Sequence, residues 1–428
     1  MVLIGRRFTA LAIVLLLGSP ALLSCAERRT EALRFAGEAG VGAGGQFFET
    51  WVRTWEARTG RRVEIIATPG SSSERLALFQ QYWAAGSSDI DVYLIDVIWP
   101  GIAAPHLLDL GEEIGGEALA EFVPSLLDAN RVGGRLVALP VWSDIGLLYC
   151  RADLLERYGY TRAPDTWEEL AAWAARIQVG ERSSDPAFHG FVWQGARYEG
   201  LTCNALEWFA ANGAGRLLAP GGAIDLDAAR ARAVLEESRR WIGSITPKGV
   251  TTYMEEESRQ IWQAGHCAFL RSWPYVHALS EAEGSAVRGK VLVAPLPQGS
   301  SGRRAATIGG WQLGVSAKSR HAREAADLVR FLTSAEVQKA RAIELGQPPS
   351  LGALYEDADV LAANPHFQVI REAMKEAVAR PSTEAGGRYN EVSTAFFTTV
   401  HEVLAGAIEP GAAVTGLEAR LRRISQRQ

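Results

Sequence analysis

The chain has 428 residues, of which 47% are hydrophobic and 9% aromatic, with 44 basic and 49 acidic side chains and only four cysteines. This composition excludes an intrinsically disordered chain, a collagen-like fibre and a small disulfide-stabilised domain. At roughly 100–200 residues per domain the length allows two or three folding units, and we expect two lobes. The net charge of -5 disfavours non-specific nucleic-acid binding, which needs clustered Lys and Arg. We expect no nucleic-acid partner.

The N-terminus has the pattern of an export signal. Arg6 and Arg7 precede an uncharged, mostly apolar run from Phe8 to Ser24, which at about 17 residues is short for a membrane span. Residues 22–25, Leu-Leu-Ser-Cys, resemble the cleavage box of bacterial lipoproteins. This predicts a signal peptide over residues 1–24, acylation of Cys25 and attachment to the membrane, in the periplasm or on the extracellular face of the cell. The alternative is a plain secretory signal in which the cysteine is fortuitous.

With Cys25 assigned to lipid, the cysteines that remain are Cys150, Cys203 and Cys267. They allow at most one disulfide, and their spacing does not select a pair. The seven histidines form neither an H-E-x-x-H pattern nor a group with a C-x-x-C pair, so we expect no metal and no cofactor.

Short apolar segments alternate with longer segments of helical periodicity, which is typical of α/β proteins. In chain order, the predicted strands are Leu33–Ala36, Val63–Ala67, Asp91–Asp96, Val291–Pro295 and Leu313–Val315. Apolar residues recur at helical spacing between Phe47 and Trp55, and Thr166 with Glu169 has the form of a capping box that begins a helix. Residues from about 349 to 428 are rich in helical pattern.

A glycine-rich turn follows the first predicted strand. Residues 40–45, Gly-Val-Gly-Ala-Gly-Gly, match the G-x-G-x-x-G pattern of dinucleotide-binding folds. The acidic residue at the expected distance is Glu64, but it lies at the start of the second strand rather than at its end, so a ribose would be out of its reach. We therefore favour the other interpretation, in which the glycines let the backbone turn beneath a ligand and present the next helix to it.

Two aspartates occupy positions that suit ligand binding. Asp96 ends the third predicted strand, and ligands of open α/β sheets bind beyond the carboxyl ends of strands. Asp144 interrupts an apolar, strand-like run next to Trp142. It could cap a turn, or it could accept hydrogen bonds from ligand hydroxyls at a cleft.

Tryptophan usage gives a further indication. Of the 13 tryptophans, Trp51, Trp55 and Trp173 fit helix packing, as most tryptophans do. Trp273 precedes a proline and Trp311 follows two glycines, residues that break regular structure. A flat indole beside fixed carboxylates suits a pyranose, which has an apolar C–H face and a rim of hydroxyls.

Five motifs occur in an order that resembles the extracellular solute-binding proteins of bacterial carbohydrate ABC importers. This is the maltose-binding-protein superfamily, and the trehalose/maltose-binding branch is the most similar part of it. The motifs are Asp91–Pro100, Gly134–Tyr149, Arg271–Tyr275, Gly309–Leu313, and Arg380-Pro381 with Glu391-Val392-Ser393. The resemblance covers nearly all of the chain after the signal peptide.

The resemblance implies a sugar site, residue by residue. The residues implied to hydrogen-bond sugar hydroxyls are Glu38, Asp96, Asp144 and Arg380. Trp273 and Trp311 would stack on glucosyl rings, Gly310 would offer a backbone amide, and Tyr275 would line the same wall. For Arg380 a surface salt bridge is the alternative. The branch often has an aromatic residue shortly after the arginine-proline pair, but residues 382–387 here are Ser-Thr-Glu-Ala-Gly-Gly, which leaves the far sugar subsite undefined.

The resemblance also implies the type II periplasmic-binding-protein fold, with two α/β lobes joined by three crossing segments and a ligand cleft between them. One lobe would hold residues 31–141 and 304–348, and the other 142–303 and 349–428. The chain breaks that suit the crossings are Pro140–Ser143, Pro295–Arg303 and Gln347–Gly352. A monomer of this kind would close on a glucose-containing disaccharide and deliver it to the permease subunits of the importer.

Two alternatives stay open. The cargo could be a different solute, such as another oligosaccharide, a polyol glucoside or a sugar phosphate, although three acids against one arginine disfavour a phosphate. The chain could also be a glycosidase that uses Asp96, Asp144 and Glu38 as its carboxylates. We expect a binding protein rather than an enzyme.

Overall fold

The computed structural model describes residues 32–38 and 42–427. The predicted signal peptide and Cys25 lie outside the described residues, as do Gly40 and Val41 of the glycine turn. Within the described ranges, no helix combines the length and the apolar character that crossing a membrane requires.

The strands agree with the sequence pattern. They are β1 Leu33–Gly37, β2 Val63–Ala67, β3 Val92–Asp96, β4 Arg131–Val132, β5 Arg135–Leu136, β6 Leu139–Ile145, β7 Leu147–Arg151, β8 His189–Val192, β9 Leu217–Leu218, β10 Ile224–Asp225, β11 Cys267–Ser272, β12 Val291–Pro295, β13 Ala306–Val315 and β14 Ala377–Val378. Four of the five predicted strands are confirmed to within a residue. The fifth, Leu313–Val315, is the end of the longer strand β13.

Helices cover most of the rest of the described chain. They are α1 Gly42–Thr59, α2 Ser72–Ala84, α3 Pro100–Ala103, α4 Gly111–Ile114, α5 Gly116–Ala120, α6 Pro124–Asp128, α7 Ala152–Arg157, α8 Trp167–Glu181, α9 Glu199–Ala211, α10 Ala228–Trp241, α11 Glu255–Gln263, α12 Val276–Ser280, α13 Ala322–Leu332, α14 Ala335–Leu345, α15 Ala358–Ala363, α16 Phe367–Lys375, α17 Ser382–Ala385, α18 Tyr389–Leu404 and α19 Pro410–Ser425. Thr166 caps α8 as predicted, because its side chain accepts from the backbone N–H of Glu169 at 3.1 Å.

The strands form two main sheets. In the first, β14, β13, β3, β1 and β2 lie side by side and β6 also pairs with β13. Both β2 and β3 run parallel to β1, whereas β13 runs antiparallel to β3 and β6. In the second, the order is β12, β7, β11, β8. The prediction of a mixed α/β architecture is confirmed.

The first sheet is covered by amphipathic helices. Phe48 and Trp55 of α1 are buried against Phe35 of β1, whose ring meets that of Phe48 edge-on at 5.3 Å. Trp51 packs on Phe331 of α13. The predicted packing role of Trp51 and Trp55 is confirmed, and this apolar contact fixes the sheet whose strand ends carry the polar site residues.

Gly146 joins the two sheets. It is the single residue between the last residue of β6, in the first sheet, and the first residue of β7, in the second. A Cβ on Gly146 would overlap the side chains of Glu207 and Arg271, so this link between the sheets passes directly against a buried ion pair. The residue bounds of the two lobes stay a prediction.

Candidate ligand-binding site

Strand β13 brings together three motifs that are far apart in the sequence. In its register with β3, Trp311 lies opposite Asp96. In its register with β6, Gly309 lies opposite Asp144 and Gly310 lies opposite Ser143. Asp96 and Asp144, which are 48 positions apart by number (144 − 96), therefore flank the same short stretch of one strand.

Two glycines permit this close approach. Gly310 has a φ of 127°, which L side chains rarely adopt, and a Cβ there would lie 2.5 Å from the carbonyl oxygen of Trp142. A Cβ on Gly309 would lie 3.0 Å from the Trp273 ring and 3.1 Å from Cβ of Asp144. The prediction that these glycines break regular structure is wrong, because both lie inside β13, where they admit neighbouring groups rather than end the strand.

Trp273 follows directly after β11 and lies against Gly309. One face of its ring is covered by the guanidinium of Arg271, 4.1 Å from the ring centroid, a cation–π arrangement. Arg271 is itself fully buried and paired with Glu207. Neither Arg271 nor Glu207 was predicted as part of the site.

Trp311 is held in a similar way. The guanidinium of Arg75 lies 4.3 Å from its ring centroid, and the ring of Trp99 meets it edge-on at 5.8 Å. Trp311 remains half-buried, whereas Trp99 is 1% exposed. Each indole therefore has one guanidinium neighbour and keeps part of its surface accessible.

Asp96 and Arg380 form a buried ion pair. Nη2 of Arg380 donates to Oδ1 of Asp96 at 3.0 Å, and its Nη1 donates to Oε1 of Glu199 at 3.0 Å. The Arg380 side chain is 3% exposed. The alternative of a surface salt bridge is therefore wrong, and Arg380 joins Asp96 at the end of β3 to Glu199 at the start of α9.

Asp144 lies within β6, so the alternative of a turn cap is also wrong. Nε1 of Trp142 donates to its Oδ2 at 2.8 Å, while Oδ1 is buried without a hydrogen-bond partner among the described residues. Burial raises the pKa of Asp144 to about 7, and the negative charges of Asp96 and Glu38 act in the same direction against the Trp142 hydrogen bond. A ligand hydroxyl that donates to Oδ1 would satisfy this oxygen.

Glu38 and Tyr275 complete the predicted set. Glu38 comes directly after β1, is half-buried, and has its carboxylate against Gly44 in the first turn of α1. It lies close enough to Asp144 to raise the pKa of that side chain. The hydroxyl of Tyr275 donates to Glu256 of α11 at 3.0 Å, and not to the predicted site acids Glu38, Asp96 and Asp144.

Two further arginines, which the sequence analysis missed, lie in the same group. Arg75 is 2% exposed and Arg341 is 1% exposed. Nη1 of Arg75 and both Nε and Nη2 of Arg341 are buried without a hydrogen-bond partner in the described structure. The charge of Glu38 raises the pKa of each of them, although burial lowers it more, to about 9 for Arg341.

Helical spacing could have identified both arginines. Arg75 lies four residues before buried Phe79 in α2, and Arg341 lies four residues after buried Val337 in α14, so each belongs to the apolar stripe of its helix. With Arg75 and Arg341 added to Arg380, three arginines lie near the three predicted acids, Glu38, Asp96 and Asp144. The predicted balance of three acids against one arginine is therefore wrong.

Over residues 32–38 and 42–427, no group of three or more His, Cys, Asp or Glu side chains could hold a metal ion. Cys150, Cys203 and Cys267 are buried free thiols. Glu64, the acid of the dinucleotide interpretation, pairs with Arg34 at 3.2 Å across the two strands on which they lie.

Comparison with known proteins identifies the family and the fold of this chain. The family model described as bacterial extracellular solute-binding protein matches residues 39–339. A probable ABC transporter-binding protein of Deinococcus radiodurans is 45% identical over 407 residues, which are 95% of this chain and 97% of the relative. A solved structure described as maltose-bound T. maritima MalE3 has a TM-score of 0.87 and 40% identity, with 92% of this chain and 99% of that chain covered.

A solute-binding protein of an ABC transporter from Thermotoga lettingae, solved with α-D-tagatose, has a TM-score of 0.82 at 23% identity, over 92% of this chain and 100% of that one. This likeness concerns the fold alone. The expected two-lobe fold of periplasmic solute-binding proteins is confirmed. The chain belongs to the family of bacterial extracellular solute-binding proteins.

Proposed function

We propose that the protein is the substrate-binding component of a carbohydrate ABC importer, and that it captures a glucose-containing disaccharide such as trehalose or maltose. The observation that carries the proposal is the meeting of Trp273, Trp311, Asp96 and Asp144 along residues 309–311 of β13. The similarity to MalE3, which was solved with maltose, supports the same class of ligand.

The chemistry of the group suits an uncharged sugar. An indole offers an apolar face to the C–H face of a pyranose, while Asp96, Asp144 and the arginines offer acceptors and donors to its hydroxyls. The guanidinium groups of Arg271 and Arg75 occupy one side of Trp273 and Trp311, so a sugar ring would use the other side of each indole.

Closure of two lobes would follow from binding. The proposed lobes are residues 31–141 with 304–348 and 142–303 with 349–428. A sugar that touches both lobes has a higher affinity for the closed state, and this difference is what shifts the equilibrium. In the proposed cycle the monomeric closed form docks on the permease subunits, and acylated Cys25 keeps it at the outer face of the membrane.

A glycosidase is the second candidate, and one observation favours it. Asp144 has a raised pKa of about 7 and lies near Asp96, which is the kind of pair that serves as general acid and base. The family match to transport proteins favours binding without reaction.

A sugar panel tests the proposal. The mature protein is titrated by calorimetry with trehalose, maltose, sucrose and the polyols ribitol and mannitol, and the sugar is recovered and analysed by chromatography. Stoichiometric binding of an intact glucosyl disaccharide is the expected result. Cleavage of the sugar would establish the enzyme instead, and binding of a polyol alone would change the cargo.

A further inference from the structure

We infer that α9 positions both the stacking and the hydrogen-bonding parts of the proposed sugar site, through two glutamates that each hold an arginine. Glu207 holds Arg271 beneath Trp273, and Glu199 holds Arg380 against Asp96. This inference rests on the proposed function and extends it to residues that do not touch the ligand.

Helix α9 is almost entirely buried, although it carries two glutamates. Of its 13 residues, all but Ala210 are buried, among them Glu199 at 6% and Glu207 at 0% exposure. An ionised carboxylate in such surroundings is costly unless charges and hydrogen bonds compensate it. Both carboxylate oxygens of each glutamate accept hydrogen bonds, and the donors indicate the role of each glutamate.

The first pair supports the indole. Nε of Arg271 donates to Oε2 of Glu207 at 2.9 Å, and Nη2 of Arg271 donates to Oε1. Thr307 of β13 adds two donors to the same Oε1, its backbone N–H at 3.0 Å and its hydroxyl at 2.6 Å. With the guanidinium fixed in this way, its contact 4.1 Å from the ring centroid supports one face of Trp273.

The second pair supports the polar side. Oε1 of Glu199 accepts from Nη1 of Arg380 at 3.0 Å and from the hydroxyl of Tyr389, and its Oε2 accepts from the hydroxyl of Ser393 at 2.5 Å. The other end of the guanidinium donates to Asp96 at 3.0 Å. Arg380 is therefore fixed between Glu199 of α9 and Asp96, a residue that is proposed to bind the sugar.

One rigid element sets the distance between the two pairs. Glu199 and Glu207 are eight positions apart by number (207 − 199), which in an α-helix is about 12 Å along the axis. Because both carboxylates belong to the same helix, the indole of Trp273 and the guanidinium of Arg380 keep a fixed separation. A purely structural ion pair would not need its arginine to contact a residue that is proposed to bind the sugar. Here Arg271 contacts Trp273, and Arg380 contacts Asp96.

Double-mutant cycles test the inference, with affinity for the bound disaccharide measured by calorimetry. Glu207→Gln keeps the shape and removes the charge, so its affinity should fall about tenfold, the effect of weakening one charge-assisted hydrogen bond. In a Trp273→Ala background the same change should lower the affinity less than about twofold, because the effects of mutations at residues that act together do not add. Glu199→Gln should likewise lower the affinity about tenfold in the wild type and less than about twofold in an Arg380→Gln background.

The crossed combinations separate positioning from general loosening of the fold. Glu207→Gln with Arg380→Gln, and Glu199→Gln with Trp273→Ala, should be additive within about twofold, since each glutamate acts through its own arginine. Equal effects of each glutamate in every background would contradict the inference. The control is Asp153→Asn, which removes the charge from another bidentate pair, with Arg151 at 2.7 Å at the far end of β7, and it should leave affinity unchanged.

Failure of the inference and failure of the proposed function give different results. If the wild type binds no sugar of the panel, the function is wrong. If it binds but both glutamine variants retain full affinity, only the positioning role is wrong. Should either glutamine variant fail to fold, the aspartate variant at the same position, which keeps the charge but shortens the reach, replaces it with the same expected and contradicting outcomes.

Discussion

Asp96 and Trp311 lie opposite each other on neighbouring antiparallel strands, and each contacts an arginine from a distant part of the chain. Arg380 donates to Asp96 at 3.0 Å, and the guanidinium of Arg75 lies 4.3 Å from the Trp311 ring centroid. An acceptor and an aromatic surface are thus presented side by side, each fixed by a cation. This arrangement makes the affinity for a sugar sensitive to single side chains.

Trp273→Ala should lower sugar affinity because it removes the indole that lies against Gly309. We expect a loss of roughly 1–4 kcal/mol in binding free energy, the range for a buried aromatic contact. Asp96→Ala should lose a similar amount, since it also leaves Arg380 partly unpaired. The measurement is titration calorimetry with the disaccharide that the wild type binds.

The matched control for Trp273 is Trp173→Ala. Trp173 stacks on Tyr160 at 4.0 Å, which confirms its predicted packing role. Its loss should lower stability without changing affinity. If Trp273→Ala and Trp173→Ala bound sugar equally well, the proposed stacking role of Trp273 would be wrong.

Sugar affinity should depend on the protonation of Asp144, whose pKa is raised to about 7 mainly by burial. Below this pH the carboxyl is protonated, and above it the carboxylate is the stronger acceptor for ligand hydroxyls. Affinity should therefore rise by about tenfold between pH 6 and pH 8, with proton release on binding near pH 7. Calorimetry in buffers of different ionisation enthalpy measures both.

Asp144→Asn is the control for that pH dependence. The variant should bind more weakly at pH 8 and lose the rise in affinity between pH 6 and pH 8. Proton uptake on binding by the wild type, or an unchanged pH profile in the variant, would contradict the role of Asp144 as an ionised acceptor.

Gly310→Ala should destabilise the fold because of both backbone strain and a clash with the Trp142 carbonyl oxygen at 2.5 Å. We expect a loss of about 2–4 kcal/mol in the free energy of unfolding, measured in urea. Gly284→Ala is the matched control: its φ is also positive, at 84°, but no heavy atom lies within 4 Å of a Cβ there. It should lose only about 1 kcal/mol, and equal losses for the two variants would argue against the close approach at Gly310.

The three described cysteines should be unreactive in the native protein. All are buried, and burial raises the pKa of each thiol, to about 12 for Cys203. An aromatic disulfide reagent should titrate none of these three thiols before unfolding and all three after it. Rapid labelling in the native state would contradict the packing around β7, α9 and β11.

The lipoprotein prediction has its own measurement. The full chain is expressed in a bacterial host and the mass of its mature N-terminus is determined. An acylated Cys25 at the first position is expected, and Cys25→Ala should shift the protein from the membrane to the soluble exported fraction. Cleavage elsewhere without lipid would favour the plain secretory signal.

Much of the fold could be predicted from local pattern. The strand that begins at Leu33 and the strand that ends at Asp96 are both short apolar runs. Thr166 marks the start of a helix because its side chain caps the first turn. Such signals are local and survive without knowledge of the tertiary structure. The length of β13 could not be predicted, because Gly309 and Gly310 have low strand propensity and are tolerated only for what packs against them.

The supporting residues were harder to find for a different reason. Arg75, Arg341, Glu199 and Glu207 are charged, and charged residues on helices are usually exposed. Their burial depends on partners that are distant in the sequence, as Glu207 with Arg271 illustrates. Helical spacing places Arg75 and Arg341 on buried stripes, but only the tertiary structure reveals which partners each of the four charges meets.

The central claim is that the indoles and the carboxylates enclose one intact sugar, and a crystal structure of the mature protein with the disaccharide it binds tests this most directly. We expect a sugar ring stacked on Trp273 and sugar hydroxyls within hydrogen-bond distance of Asp96 and Asp144. A sugar bound elsewhere, or one that leaves Trp273 and Asp96 untouched, would contradict it.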